Sequence, residues 1–267
     1  MSIMADILAH RELLTNLVMR NLKSRYKDSV LGFLWSILTP LFMAVIYLVF
    51  LRILARGVPM TEILIGVFAW QFTVQCVFNG LTCITDNGNL VKKVSFPRVI
   101  LPLATTISNL INFLLTLIVQ FALLAVLLGL HGQHVSLFTL AVPAVIAVHF
   151  LFCFGIVLFL SCSNVYFRDL EHLVNVLVTA FFFITPVMYS YGMVEEIAFN
   201  YNLPVLAQVY MANPMAVIIS AYRALILPGA SFPLGAGTCA GAIIALFFVF
   251  PAYRLFKKLQ GNFSDMF

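Results

Sequence analysis

The chain has 267 residues, 63% of them hydrophobic and only 9% charged, with a mean hydropathy of +1.05. An ordinary soluble domain is about half apolar and about a quarter charged, so this composition excludes one and makes lipid the solvent. The net charge of +5 comes from basic residues scattered between apolar runs. A nucleic-acid footprint needs a clustered basic face on a soluble domain, so nucleic acid is excluded as a partner, while anionic inner-leaflet lipid is favoured.

Residues 7–27 open the chain with an amphipathic pattern. Ile7, Leu14, Val18 and Leu22 form one helical stripe with Leu17 at its edge, and Asn16, Arg20, Lys23 and Lys27 lie opposite. Arg11 falls on the apolar side and breaks the pattern. This predicts a helix lying in the headgroup plane with its cations on phosphates and also touching a partner; the plainer alternative is a short juxtamembrane helix. The first 29 residues lack an apolar signal core, so the first span is expected to be an internal anchor.

A helix needs about 20 residues to cross about 30 Å of hydrocarbon. Apolar runs of that kind occupy 30–51, 63–84, 99–130, 135–163, 173–191 and 232–253. The third and fourth exceed the minimum, so tilt or projection is expected.

Between the second and third runs lies a polar loop, 86–98. Asp86, Asn87 and Gly88 are turn formers able to start a short helix. Leu90, Val91, Val94 and Phe96 then alternate with Lys92, Lys93 and Arg98, and Pro97 ends any helix. The loop is either a solvated connector or a docking knob for a soluble subunit. The gap at 164–172 is short, with Arg168 beside Asp169. This is either a snorkelling pair or an anchor for the same partner.

Segment 192–228 is less apolar. Pro204, Pro214 and Pro228 break it, and Glu195 and Glu196 are the only adjacent acidic pair. Pieces at 203–212 and 215–227 flank Asn213-Pro214, each too short to span comfortably. They predict either a re-entrant helical hairpin near the outer face, shielded or lining a pathway, or two amphipathic helices resting on the outer leaflet.

Parity of the basic residues sets the topology. Arg11, Arg20, Lys23, Arg25, Lys27, Lys92, Lys93, Arg98, Arg168, Arg254, Lys257 and Lys258 share one side only if the number of spans is even and both termini are cytoplasmic. Arg52, Arg56 and Arg223 remain on the other side. The expected fold is therefore all-α integral membrane: six transmembrane helices, an N-terminal interfacial helix and the hairpin before the last span.

Chemistry-bearing patterns are sparse. The five cysteines sit in or beside apolar runs without a CxxC pair and read as small hydrophobes. No phosphate-binding GxxxxGK[ST] loop, HExxH, GxSxG or CaaX pattern occurs. An enzyme is not expected, and no cofactor or metal is expected in this chain. His149 is deep in an apolar run, and a lone histidine there is more often a hydrogen-bonded packing residue than a proton relay. Gln71, Gln75, Asn79, Asn109, Asn112 and Gln120 either bond helix to helix or face a polar lumen. Among the aromatics, Trp35, Tyr47, Trp70, Phe72 and the Phe181-Phe182-Phe183 run stand out, and Trp35 and Tyr191 fit an interfacial belt. Aromatic faces also stack on sugar rings, a use that packing mimics.

Several motifs resemble one family. Arg25-Tyr26-Lys27-Asp28-Ser29-Val30-Leu31-Gly32-Phe33-Leu34-Trp35, closing at Thr39-Pro40-Leu41, resembles the first-span entry of ABC-2 type export permeases. Phe96-Pro97-Arg98-Val99-Ile100-Leu101-Pro102-Leu103 resembles their cytoplasmic loop and third-span entry. Phe167-Arg168-Asp169-Leu170, Thr185-Pro186-Val187-Met188-Tyr189 and Asn213-Pro214-Met215 with Arg223 complete the likeness over nearly the whole chain. The branch it resembles exports polysaccharide: O-antigen, capsule and teichoic acid chains.

That resemblance implies a homodimer in the bacterial cytoplasmic (inner) membrane, paired with two separate ATPase subunits that bind ATP and Mg. It implies ATPase contact through Arg25, Asn89, Lys92, Lys93, Phe96, Arg98, Arg168 and Asp169. It implies a wide aromatic-lined channel for a lipid-linked glycan, with Trp35, Tyr47, Trp70, Phe72, Tyr189, Asn213, Pro214 and Arg223 as candidate channel and gate residues. Two other functions compete: an ABC-2 exporter of small hydrophobic drugs or lipids, and a membrane enzyme acting on polyprenyl lipids. The last needs interfacial acidic clusters for metal and diphosphate.

Overall fold

The computed structural model describes residues 9–26, 32, 34–35, 38–39, 41–42, 45–46, 49, 58–167 and 169–266. The expected first span at 30–51 falls largely outside these residues, as do Tyr47 and Arg168. Among the described residues all regular structure is helical.

Helix α1, Arg11–Tyr26, places Leu17 and Val18 in the protein core, with Leu13, Leu14 and Leu22 packed beside them. The apolar stripe is thus covered by protein, against α4, and Asn16, Arg20 and Lys23 lie on the exposed face. Helix α2, Met60–Thr82, starts behind Pro59, whose fixed φ suits a helix entry. A 3-10 turn, Thr85–Asn87, leads into the short α3, Gly88–Lys93. Helix α4 is Ile100–Gly129 and α5 is Val142–Tyr166, joined by a turn at Gly132 (φ 68°) and a 3-10 run, Leu137–Ala141.

The expected fifth span, 173–191, is α6, Leu170–Ile184, of only 15 residues. Pro186 pushes Thr185 out of the helical region (ψ 144°), and the helix stops there. Next come α7, Tyr191–Asn200, α8, Pro204–Met211, and α9, Pro214–Ile226. Helices α8 and α9 are bent by 87° to one another across Asn213-Pro214. The bend has a local cause: Pro214 occupies the first turn of α9, and the Asn213 side chain caps it by accepting from Met215 N–H.

Helices α10, Ala236–Phe247, and α11, Val249–Leu259, form one long apolar stretch broken at Phe248. Pro251 explains the break, since it has no N–H to give the Phe247 carbonyl. A 3-10 segment, Gln260–Met266, follows.

Among the described residues, four stretches are long and apolar enough to cross a membrane: α2, α4, 137–166 and 236–263. The bent α8–α9 pair makes a fifth if counted as one span. Helices α2, α4 and α5 pack together as the central layer, and α9, α10 and α11 lean on α5. Gly155 lets α5 cross the α10–α11 break closely: a Cβ there would sit 3.0 Å from the Phe248 ring and 3.0 Å from Val249 Cα. Helix α6 stands apart, burying only Val174 among its residues.

Candidate functional site

Two clusters lie at opposite ends of α2, which at 1.5 Å per residue is about 34 Å long. The basic end gathers α1, the 85–87 turn, α3 and the 260–266 segment. Asn87 is its hinge pin: its Nδ2 donates to the Cys83 carbonyl (2.8 Å), and its Oδ1 accepts from Arg20 (2.7 Å). Helix α1 is thereby tied to the end of α2. A polar cavity of about 450 Å³ opens here, lined by Arg20, Ser24, Asn79, Asp86, Thr105 and Ser108 among others.

Helix α3 is too short to hold itself in place and rests on the buried Val91. Asn89, Lys92, Lys93, Val94 and Ser95 are exposed, whereas Phe96 and Arg98 are half-buried. Arg98 is engaged within the chain. Its Nη1 donates to the Gln260 carbonyl and, at 3.4 Å, to that of Gly261. Asp169 is exposed at the start of α6, and Arg25 lies on the last turn of α1. The structure thus brings Asn89, Lys92 and Lys93 onto one short helix with all three exposed.

The far end is organised by Arg223, only 6% exposed. Its Nε and Nη2 donate to the Glu62 carbonyl (3.2 and 3.0 Å), Nη1 to that of Tyr189 (2.8 Å), and Nη2 to that of Val187 (3.0 Å). The non-helical stretch after α6 leaves the Val187 and Tyr189 carbonyls without helix partners, and the guanidinium fork satisfies them while also reaching the Glu62 carbonyl in the first turn of α2. Gly66 makes the approach possible, because any Cβ there would collide with the Val187 carbonyl. Asn213 Nδ2 donates to Thr185 Oγ1 (2.9 Å), while Tyr210 O–H donates to the Tyr189 hydroxyl (2.9 Å), which donates to the Phe183 carbonyl (2.8 Å). Tyr189, Asn213, Pro214 and Arg223 are therefore one assembly that locks the α8–α9 corner to the 185–190 stretch.

Other aromatic candidates lie elsewhere. Trp70 is 8% exposed, edge-on to Phe182, and Phe72 is 1% exposed, stacked on Phe113. Both rings are packed inside the chain. Trp35 is half-exposed. His149 is a buried packing residue with hydrogen bonds: one ring nitrogen lies 2.8 Å from Thr73 Oγ1 and the other 3.4 Å from the Tyr222 hydroxyl.

The amides knit α2 to α4: Asn79 Nδ2 to Asn109 Oδ1 (2.9 Å), Asn112 Nδ2 to Gln75 Oε1 (3.1 Å), and Asn109 Nδ2 to the Gln75 carbonyl (3.3 Å). Gln120 Oε1, buried deeper along the same helix, has no hydrogen-bond partner among the described residues.

Sequence reasoning overlooked Thr185 and Tyr210 as partners of Asn213 and Tyr189, and Tyr166 and Phe263 at the basic end. Thr185 and Tyr210 were detectable from their places beside Pro186 and the Asn213-Pro214 corner. Phe263 stands alone in a polar stretch and gave no periodic signal.

Several long apolar helices with buried inter-helix amides define a multi-pass membrane protein. The family model described as ABC-2 type transporter matches residues 12–227, and the chain belongs to that family. It is 32% identical over 267 residues to the O-antigen export system permease protein RfbA of Myxococcus xanthus, covering 97% of each chain. A Klebsiella pneumoniae protein of the same name is 33% identical over 222 residues, 82% of this chain and 81% of its own.

Proposed function

We propose that this chain is the permease subunit of an ATP-driven exporter that moves lipid-linked polysaccharide across the bacterial cytoplasmic membrane. The observation that carries this reading is its likeness, over nearly its whole length, to permeases named for O-antigen export. In this reading two copies pair, each with six spans and both termini cytoplasmic. Two separate ATPase subunits bind ATP and Mg and grip the basic end.

The geometry supports such a division of labour. Helix α3 presents Asn89, Lys92 and Lys93 to solvent beside the exposed Arg20 and Lys23 of α1, a cationic surface suited to an acidic groove. A push on α3 passes through Asn87 to α1 and α2 together. Helix α2 then delivers it to Glu62, whose carbonyl Arg223 holds. The bent α8–α9 pair is assigned as the re-entrant outer gate, its corner released or held by the Asn213, Tyr189 and Tyr210 bonds. Rigid elements joined by a few such bonds suit discrete switching. Many weak contacts, rather than one tight pocket, suit movement of a long polymer.

The test is a strain in which K92E/K93E replaces the native chain. We expect unchanged membrane levels, loss of ATPase copurification, loss of surface polysaccharide and accumulation of its lipid-linked precursor inside. Intact surface glycan with normal copurification would reject the reading. Intact glycan with raised drug sensitivity would favour a small-molecule exporter instead.

A further inference from the structure

Residues 260–266 read QGNFSDM, a mostly polar run in a 3-10 conformation that has little power to hold itself. Yet Phe263 is 0% exposed. Its ring centre lies 5.6 Å from that of Phe256 and 6.4 Å from that of Tyr166, both edge-on. The Arg98 guanidinium sits 5.9 Å above the same ring, within cation–π range. Arg98 also donates to the carbonyls of Gln260 and Gly261. Tyr166, on the last turn of α5, donates its O–H to the Leu259 carbonyl (3.1 Å). The segment touches α3, α5 and α11.

Three parts of the chain far apart in sequence therefore converge on one seven-residue segment. Arg98 is the key joint, because it follows α3 directly and Pro97 stiffens the link between them. Helix α3 has six residues and no internal means of holding a direction. Its orientation is set by Val91 beneath it and by this segment beside it.

We propose that residues 260–266 are a brace that fixes the position of α3 and ties it to the last span, with Phe263 and Arg98 as positioning residues. The brace gives a thrust on α3 a second route, into α11, besides the one through Asn87 into α2. The inference rests on the reading of α3 as the ATPase contact. It concerns how that contact is held, not whether it exists.

The experiment uses the full chain with its ATPase and compares F263A, F263L and R98Q with the unaltered protein. Amide hydrogen exchange over 88–94, ATPase copurification and polysaccharide export are measured together. The brace predicts that F263A and R98Q still copurify with the ATPase, exchange about tenfold faster over 88–94, and lose about tenfold in export. F263L, which refills the space without the ring, is expected to recover part of both. A purely structural role would lower yield and melting temperature without singling out 88–94. Unchanged exchange over 88–94 in a folded F263A or R98Q protein would overturn the proposal. If F263A does not accumulate, R98Q carries the test, since it removes only the guanidinium's bonds. K92E/K93E separates the two readings: copurification that survives it, with faster exchange still seen in F263A, would keep the brace and reject the docking surface.

Discussion

Arg223 is a buried cation whose hydrogen bonds go to backbone carbonyls rather than to a carboxylate. A guanidinium can serve three carbonyls at once because its donors are fixed in a plane. Arg223→Met would strand the non-helical carbonyls of Val187 and Tyr189 and remove the tie to Glu62. Losing the partner of buried polar groups costs about 3 kcal/mol, so the variant should melt several degrees below the unaltered protein in detergent. Arg223→Lys, with the charge but not the fork, should fall between. Unaltered melting of the methionine variant would show that those bonds add nothing. The α8–α9 corner was legible because Asn213-Pro214 and Thr185-Pro186 carry their backbone consequences in the residue types themselves. The aromatics were not: a ring that packs and a ring that lines a channel have the same sequence signature, and only burial places Trp70 and Phe72 in the core.

Helix α6 raises the pairing question at the scale of elements. Leu173, Val176, Phe181 and Phe183 are exposed, and with Val174 the only buried residue the helix has apolar surface on most sides. We assign part of that surface to a second copy of the chain. Single cysteines at Leu173, Val176 and Phe183, in a background with the exposed Cys239 changed to Ser, test this in native membranes. At least one should give an oxidised dimer on a denaturing gel, and a wholly monomeric series would remove α6 from the interface. Helices α2, α4 and α5 were readable from unbroken apolar length. The end of α6 was misplaced because the apolar run continues past Pro186 while the helix cannot. The stripe of α1 was readable as amphipathic, but whether lipid or protein covers such a stripe depends on α4, which no local pattern reveals. Segment 260–266 was invisible for a related reason: one Phe among polar residues has no period.

At the scale of the whole molecule, α2 is the beam between two worked ends. Asn87 and Arg20 sit at one end, and the carbonyl of Glu62 under Arg223 sits at the other. The amides of α2 and α4 bond to each other and stiffen the middle. In the proposed function this arrangement would pass on a force generated by the ATPase. The central claim is that movement of the glycan is driven by a separate ATPase acting on the basic end. Its most direct test is transport in sealed vesicles containing the purified chain and a lipid-linked polysaccharide, with and without the ATPase and Mg-ATP. The account predicts that glycan crosses the bilayer only when ATPase and nucleotide are both present, and that K92E/K93E abolishes the transfer. Transfer by the chain alone, at a rate the ATPase does not change, would contradict it.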